Sequence, residues 1–295
     1  MRTAMVLCAG LGTRLLPLTD RIPKPLMPVG DRPALAHILG ALRGAGFDRI
    51  AVNTHHRAEA FDACRAELGG EGLCIVHEPE ILGTAGGVSN ARGVLGEGDV
   101  LVYNGDIIAP ALDIRALVSE WDARSDAAAL WVVKTRPFGQ GTVGIDKSGG
   151  IVRLRGRVFG EEATSGDFLG IQILGAKLRE ALPTEGCLVG DVAMPLLEAN
   201  GRIASFIFDA EWDDIGDAPG LLRANLSWLE RCGLSAWVGP AARVDAGATV
   251  VSSVVGAGAV VEGQGELRDC VVFAGGKARV PLARAIASRD VTVRI

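Results

Sequence analysis

The run Thr3-Ala4-Met5-Val6-Leu7-Cys8 passes directly into Ala9-Gly10-Leu11-Gly12-Thr13-Arg14, with Pro23-Lys24-Pro25 shortly behind. A short apolar stretch that ends in glycines is the pattern of a strand stopping at a tight turn. Glycine reaches positive φ without steric cost, so bare backbone N–H groups there can approach an anion. Arg14 and Lys24 add two cations. Such a turn reads as a cradle for a nucleoside triphosphate, with a purely structural turn as the alternative. Two other phosphate turns do not fit: the third glycine of a dinucleotide fingerprint is missing, and there is no Gly-Lys-Ser/Thr of a Walker loop.

Working outward, strand and helix patterns alternate as far as about Lys134. Leu35, Ile38, Leu39 and Leu42 fall on one face of a helix over 34–45. Strands follow at 49–53, 73–77, 99–103 and 127–133, with helices at 58–68, 84–94 and 112–123 between them. This alternation implies right-handed crossovers and an α/β fold with a Rossmann-like, mostly parallel sheet. Past Lys134, shorter strands at 143–145, 151–154 and 168–174 suggest an inserted or appended antiparallel portion. Helices at 176–182 and 192–198, a strand at 203–208 and a last helix from Ala218 to about Arg231 complete this part.

The tail has another period. Val238, Val244 and Val250 are six apart, and after a one-residue slip Val255, Val261 and Leu267 resume the step. That is the hexapeptide pattern of a left-handed parallel β-helix, with space for about three coils. The expected division is therefore a catalytic domain over 1–233 and a short β-helix over 234–295.

Composition narrows the function. With 295 residues, 48% hydrophobic, the chain can bury a large core. A net charge of −5 argues against a nucleic-acid or membrane surface. Six scattered cysteines without a Cys-x-x-Cys pair indicate reduced thiols, and no signal or membrane-spanning segment is evident, so a soluble cytoplasmic protein is expected.

Leu7 to Thr19, Pro23-Lys24-Pro25, Leu82-Gly83-Thr84-Ala85-Gly86-Gly87, Asn104-Gly105-Asp106 and Trp212-Asp213-Asp214-Ile215-Gly216 resemble, in order, the motifs of the sugar-1-phosphate nucleotidylyltransferases. The resemblance covers the first 230 residues or so and is nearest to mannose-1-phosphate guanylyltransferases. It implies that Ala9, Gly10, Leu11, Gly12 and Thr13 hold the triphosphate, with Arg14 and Lys24 as catalytic cations on its oxygens. Gly83, Thr84, Ala85 and Asn104 would meet the nucleotide, Gly144 and Gly170 the sugar, and Asp106 and Asp214 a Mg²⁺ ion. The partners implied are a nucleoside triphosphate, GTP foremost, and a sugar 1-phosphate, with homo-oligomer formation through the tail. Magnesium's preference for one or two carboxylates plus phosphate oxygens agrees with two such aspartates, although a carboxylate at a strand end is also a common turn cap. Asp213 reads as the structural member of its pair.

Many family members carry Glu-Lys-Pro between the two sugar-facing strands, where this chain has Leu154-Arg155-Gly156-Arg157. Arg153, Arg155 and Arg157 share a face if the strand continues, most simply a solvated edge, with replacement of the missing lysine as the alternative. That departure leaves a uridylyltransferase for N-acetylmuramate 1-phosphate open as a second reading. A catalytically silent regulatory subunit is a third. His55-His56 reads as a polar loop and Asp191 as a helix cap. Acyl transfer by the tail is disfavoured, because all four histidines precede it.

Overall fold

The opening apolar run becomes the strand Thr3–Leu7, held between two parallel neighbours, Arg49–Thr54 and Val100–Asn104, with Leu73–His77 parallel beyond the first. This computed structural model describes residues 3–70 and 72–295. The register sets Leu7 opposite both Asn53 and Asn104. Three strands therefore finish level, and the turns that follow them share the carboxyl edge where open sheets bind ligands.

Two compact units emerge, one formed by the chain up to Gly10 with Ile38–Trp212, the other by Leu11–His37 with Asp213–Ile295. The sheet of the first unit has ten strands among the described residues. Its antiparallel strands are not a separate portion as expected. Thr164–Leu174 is eleven residues long, so its end pairs with Val100–Asn104 while its start pairs with Val143–Ile145, welding the short strands onto the parallel ones. Ala129–Arg136 lies along the same strand, and Ile203–Ile207 pairs parallel to Ala129–Arg136.

Helices bury the apolar faces read from sequence. The helix Ala34–Gly44 buries Leu35, Ile38, Leu39 and Leu42. Met5, Leu95, Val102 and Trp131 are buried in one cluster, each such side chain contributing about 1.5–3 kcal/mol by leaving water. Trp131 stacks on Phe168 with ring centroids 4.1 Å apart. Two helical segments depart most from expectation. The first, Ala58–Ala63, ends in a run of turns toward Gly69. The segment at 84–94 splits at Ala91 into Gly83–Asn90 and Arg92–Leu95. A wide helical turn, Leu188–Ala193, leads into the five-residue helix Met194–Glu198.

In the second unit, the helix Ala218–Arg231 is capped by Asp217, whose Oδ1 accepts the Gly220 N–H at 2.8 Å. Asn225, fully buried on this helix, accepts the Gly30 N–H at 2.8 Å and donates to Pro28 O at 3.0 Å, fastening the Pro28–Gly30 turn. The tail pairs with itself in parallel: Trp237 lies opposite Val254, Arg243 opposite Val260, Ala248 opposite Gly265 and Val254 opposite Val271, each seventeen residues on, and the step shortens to fifteen where Leu267 lies opposite Leu282. Val255, Val261, Leu267 and Val272 point into its apolar interior, while Val238 at the first step is exposed. The last strand, Thr292–Arg294, turns back antiparallel on Lys277–Ala287.

Candidate active site

Within the second unit the loop after Gly10 folds through three single helical turns, Thr13–Leu15, Leu18–Asp20 and Lys24–Leu26. Gly12 makes this possible: its φ is +65°, and a Cβ there would lie 2.8 Å from the Thr19 methyl and 3.4 Å from Lys24 Cβ. Thr19 Oγ1 donates to Gly12 O at 3.1 Å, which fixes the loop against its own return. Leu15 and Leu18 are buried beneath it, while Leu11, Thr13 and Arg14 are exposed and Lys24 is half-buried.

Arg14 and Asp214 meet at Gly216. A Cβ on that glycine would lie 2.5 Å from Arg14 Nη2 and 2.8 Å from Asp214 Oδ1, so a side chain there would displace one or both of them. The Gly216 N–H donates to Asp214 Oδ1 at 2.7 Å, orienting the carboxylate. A cation and a carboxylate expected to serve phosphate and metal are thus adjacent within one unit. The neighbouring Asp213 behaves differently. It is 4% exposed and its Oδ1 lies 3.4 Å from Arg223 Nε. Burial raises its carboxyl above the usual range, against the pull of Arg223 and Arg231.

In the first unit the Gly83–Asn90 helix is pressed into its surroundings. Gly83, at φ +75°, leaves no space for a Cβ beside Gly186 O, and a Cβ on Gly86 would lie 2.6 Å from Thr184 O. The Ala85 N–H donates to Gly186 O, the Gly186 N–H to Leu82 O and the Leu188 N–H to Thr84 Oγ1, each at 2.8 Å. Ala85 is buried, so Gly83, exposed, and Thr84, half-buried, form the face of this segment open to a ligand. Asn104 and Gly170 touch: Gly170 sits at φ +74° in the irregular stretch of its strand, where a side chain would overlap Asn104 Nδ2. Asp106 is half-buried just beyond, after a turn in which the Gly105 N–H donates to Leu7 O at 2.9 Å.

Gly144 differs from its expected role as backbone bared to a sugar. A Cβ there would lie 2.5 Å from Glu162 Cδ and 2.7 Å from Arg153 Cβ, so the protein's own side chains occupy the space. Arg153 grips Glu162 through two hydrogen bonds, 2.7 and 3.0 Å, and also reaches the carbonyls of Gln140, Gly141 and Val143. That grip holds the Glu162 carboxyl below its usual range. The three arginines do not share a face. Arg155 (φ +49°) and Gly156 (φ +78°) form a two-residue hairpin between paired Leu154 and Arg157, which ends the strand. Arg157 pairs with Glu198, and Arg155 Nη2 approaches Cys187 Sγ at 3.7 Å. Burial pushes the Cys187 thiol up, but the Gly190 and Val189 amides, Thr84 and Arg155 outweigh it and leave the thiol lowered.

Sequence reading passed over Asn53 and Glu78. Both are buried, at 2% and 0% exposure, and Asn53 Nδ2 donates to Glu78 Oε1 at 2.7 Å. The available signal was a polar residue at the end of an apolar strand and a glutamate just ahead of the Leu82–Gly87 motif. His55 is a structural partner here, its Nδ1 2.8 Å from Glu78 O.

A profile described as Nucleotidyl transferase matches residues 3–231. The mannose-1-phosphate guanylyltransferase of Mycobacterium tuberculosis is 28% identical over 287 residues, 92% of this chain and 80% of that protein. The N-acetylmuramate alpha-1-phosphate uridylyltransferase of Caulobacter vibrioides is 29% identical over 244 residues, 78% of this chain and 98% of that one. Among solved structures, HddC from Yersinia pseudotuberculosis complexed with GMP-PN superposes with a TM-score of 0.63 at 23% identity, covering 77% of this chain and all of that one. At that identity the likeness is one of fold.

Proposed function

The chain belongs to the nucleotidyl transferase family, and on that premise we propose that it transfers a nucleoside monophosphate from a triphosphate to a sugar 1-phosphate, using GTP with mannose 1-phosphate or a related sugar. The observation that carries this reading is the placement of Arg14 and Asp214 side by side around Gly216. An oxygen of the sugar phosphate attacks the α-phosphorus, a new P–O bond forms, and the bond to the β-phosphate oxygen breaks to release pyrophosphate. A phosphate monoester has its second pKa near 6, so the attacking oxygen is already ionised at neutral pH and needs no general base. The protein's task is to align two anions and to offset their charge. Arg14, with a forked guanidinium, suits the leaving pyrophosphate, and Lys24, a point charge, suits the α-phosphate or sugar phosphate.

Ala9 to Thr13 form the triphosphate loop, Gly83, Thr84 and Asn104 contact the nucleotide with Ala85 packed behind them, and Gly170 and Gly144 shape the sugar side. Asp106 and Asp214 are the carboxylates we assign to Mg²⁺. No group of three or more His, Cys, Asp or Glu among the described residues could hold an ion unaided. Such a sparse donor set fits magnesium, which takes one or two carboxylates and fills its shell with phosphate oxygens and water. When bound, it supplies positive charge to the phosphates.

A uridylyltransferase acting on N-acetylmuramate 1-phosphate is the second reading, favoured by the missing Glu-Lys-Pro and by the near-complete coverage of the Caulobacter protein. Presence of Arg14, Lys24, Asp106 and Asp214 weighs against a silent subunit. We assign the tail to a left-handed parallel β-helix that joins copies of the chain; its seventeen-residue step equals two six-residue steps and one of five. Truncation at residue 234 should then lower the mass seen by light scattering, and an unchanged mass would refute the role. No helix among the described residues is long and apolar enough to cross a membrane, and a cytoplasmic enzyme agrees with nucleotide substrates. Pyrophosphate release, measured with GTP, UTP, ATP and dTTP against several sugar 1-phosphates, tests the activity: no release from any pair refutes it, and the best pair identifies the substrates.

A further inference from the structure

Three hydrogen bonds, two of them buried and one part-buried, tie together two segments that the proposed function places at the nucleotide. Asn53 Oδ1 accepts the Cys8 N–H at 2.8 Å, at the root of the Ala9–Gly10 turn. Asn53 Nδ2 donates to Glu78 Oε1 at 2.7 Å, and Glu78 Oε2 accepts the Leu82 N–H at 3.3 Å, at the start of the Gly83 helix. Glu78 is itself fixed by its own N–H, which donates to Thr54 O at 2.7 Å. The space around the clamp is filled as well: a Cβ on Gly87 would lie 2.7 Å from Asn53 Nδ2 and 2.9 Å from Glu78 Oε1.

The chemistry of the two ends dictates the residue between them. Cys8 presents a donor and needs an acceptor, while the Glu78 carboxylate presents acceptors and needs a donor. Asparagine offers one of each on adjacent atoms. Aspartate would set two carboxylates together, and alanine would strand both buried groups, a costly outcome where water cannot enter.

We propose that Asn53 is a positioning residue of the nucleotide site, holding the root of the triphosphate turn and the start of the Gly83 segment at a fixed separation. The proposal rests on the nucleotidyltransferase reading. Asn53 touches no substrate; it acts through Cys8 and Glu78. A shift of about 1 Å between two parts of a binding site is enough to cost about a hundredfold in rate, so the clamp governs nucleotide affinity before sugar affinity.

The test compares Asn53→Asp, Glu78→Gln and the double variant Asn53→Asp/Glu78→Gln by KM for the triphosphate, KM for the sugar 1-phosphate and thermal unfolding. Asn53→Asp retains the acceptor for Cys8 but faces a carboxylate, and its triphosphate KM should rise about tenfold or more, with the sugar-phosphate KM within about twofold. In the double variant the introduced glutamine donates its amide N–H to the introduced aspartate, while its amide oxygen keeps the Leu82 N–H, so the bond is rebuilt with its polarity reversed. Triphosphate KM should then return to within about threefold of the parent. Should Asn53→Asp not fold, Glu78→Gln alone, which can leave one donor facing another, carries the same expectation. An active parent whose triphosphate KM is unmoved by these single changes, or whose two KM values rise together without recovery in the double variant, overturns the role of Asn53. A parent that releases no pyrophosphate overturns the function instead.

Discussion

The glycines of Gly10-Leu11-Gly12 and those of Gly83 to Gly87 look alike in sequence, yet Gly10 and the second set do opposite things in the structure. Apart from its chain neighbours, no described residue comes within 4 Å of a Cβ built on Gly10, and this residue is exposed. By contrast, Gly83, Gly86 and Gly87 are bare because Gly186, Thr184, Asn53 and Glu78 press against them. Open glycine backbone is available to a ligand, whereas filled glycine is a packing device that brings the neighbouring residues to a ligand. Gly144 belongs with the second group, its space taken by Glu162 and Arg153.

Four experiments would break or sharpen that contrast. Arg14→Ala removes the cation at the open end; we expect turnover to drop by about a hundredfold or more while the unfolding temperature stays put, and a loss below about threefold would dissolve the assignment. Gly86→Ala pushes a methyl at Thr184 O, so unfolding should cost about 1–3 kcal/mol less than in the parent, read from denaturant titration. Gly10→Ala should do the reverse, altering stability by no more than about 0.5 kcal/mol while raising the triphosphate KM several-fold; equal destabilisation by both alanines would erase the difference between the regions.

The smallest effect on activity is expected beside Gly144. Its neighbour Glu162 has a carboxyl held low by Arg153. A depressed folded-state pKa contributes stability in full above the ordinary value of 4.5 and loses it as pH falls through the lower folded value. Arg153→Ala should therefore destabilise by about 1 kcal/mol near pH 7, and the gap from the parent should narrow below the ordinary carboxylate range. A gap independent of pH would mean the pair acts through packing alone.

Local patterns were legible because local energetics make them. Helical spacing at Leu35, Ile38, Leu39 and Leu42 requires only a buried stripe, and the apolar run before Gly10 requires only a strand that stops. The tail, with its own valine spacing in the sequence, pairs with itself in parallel. Arg153 was misread for the opposite reason: periodicity placed it on an exposed face, but the Arg155–Gly156 hairpin ended the strand and Glu162 captured the guanidinium. Asn53 gave little sign of its role, since nothing near it in the chain reveals that Cys8 and Glu78 converge on its amide.

By itself, then, the sequence determined the α/β alternation and the family motifs in which Arg14, Lys24, Asp106 and Asp214 stand, because φ preference, side-chain period and charge act over a few neighbouring residues. Only the tertiary structure decided which glycines are open, which arginine is already engaged and which buried amide joins the Cys8 and Leu82 segments. Those outcomes depend on atoms brought from distant parts of the chain, Thr184 onto Gly86, Glu162 onto Gly144 and Glu78 onto Asn53, and close packing settles them at distances of a few ångströms.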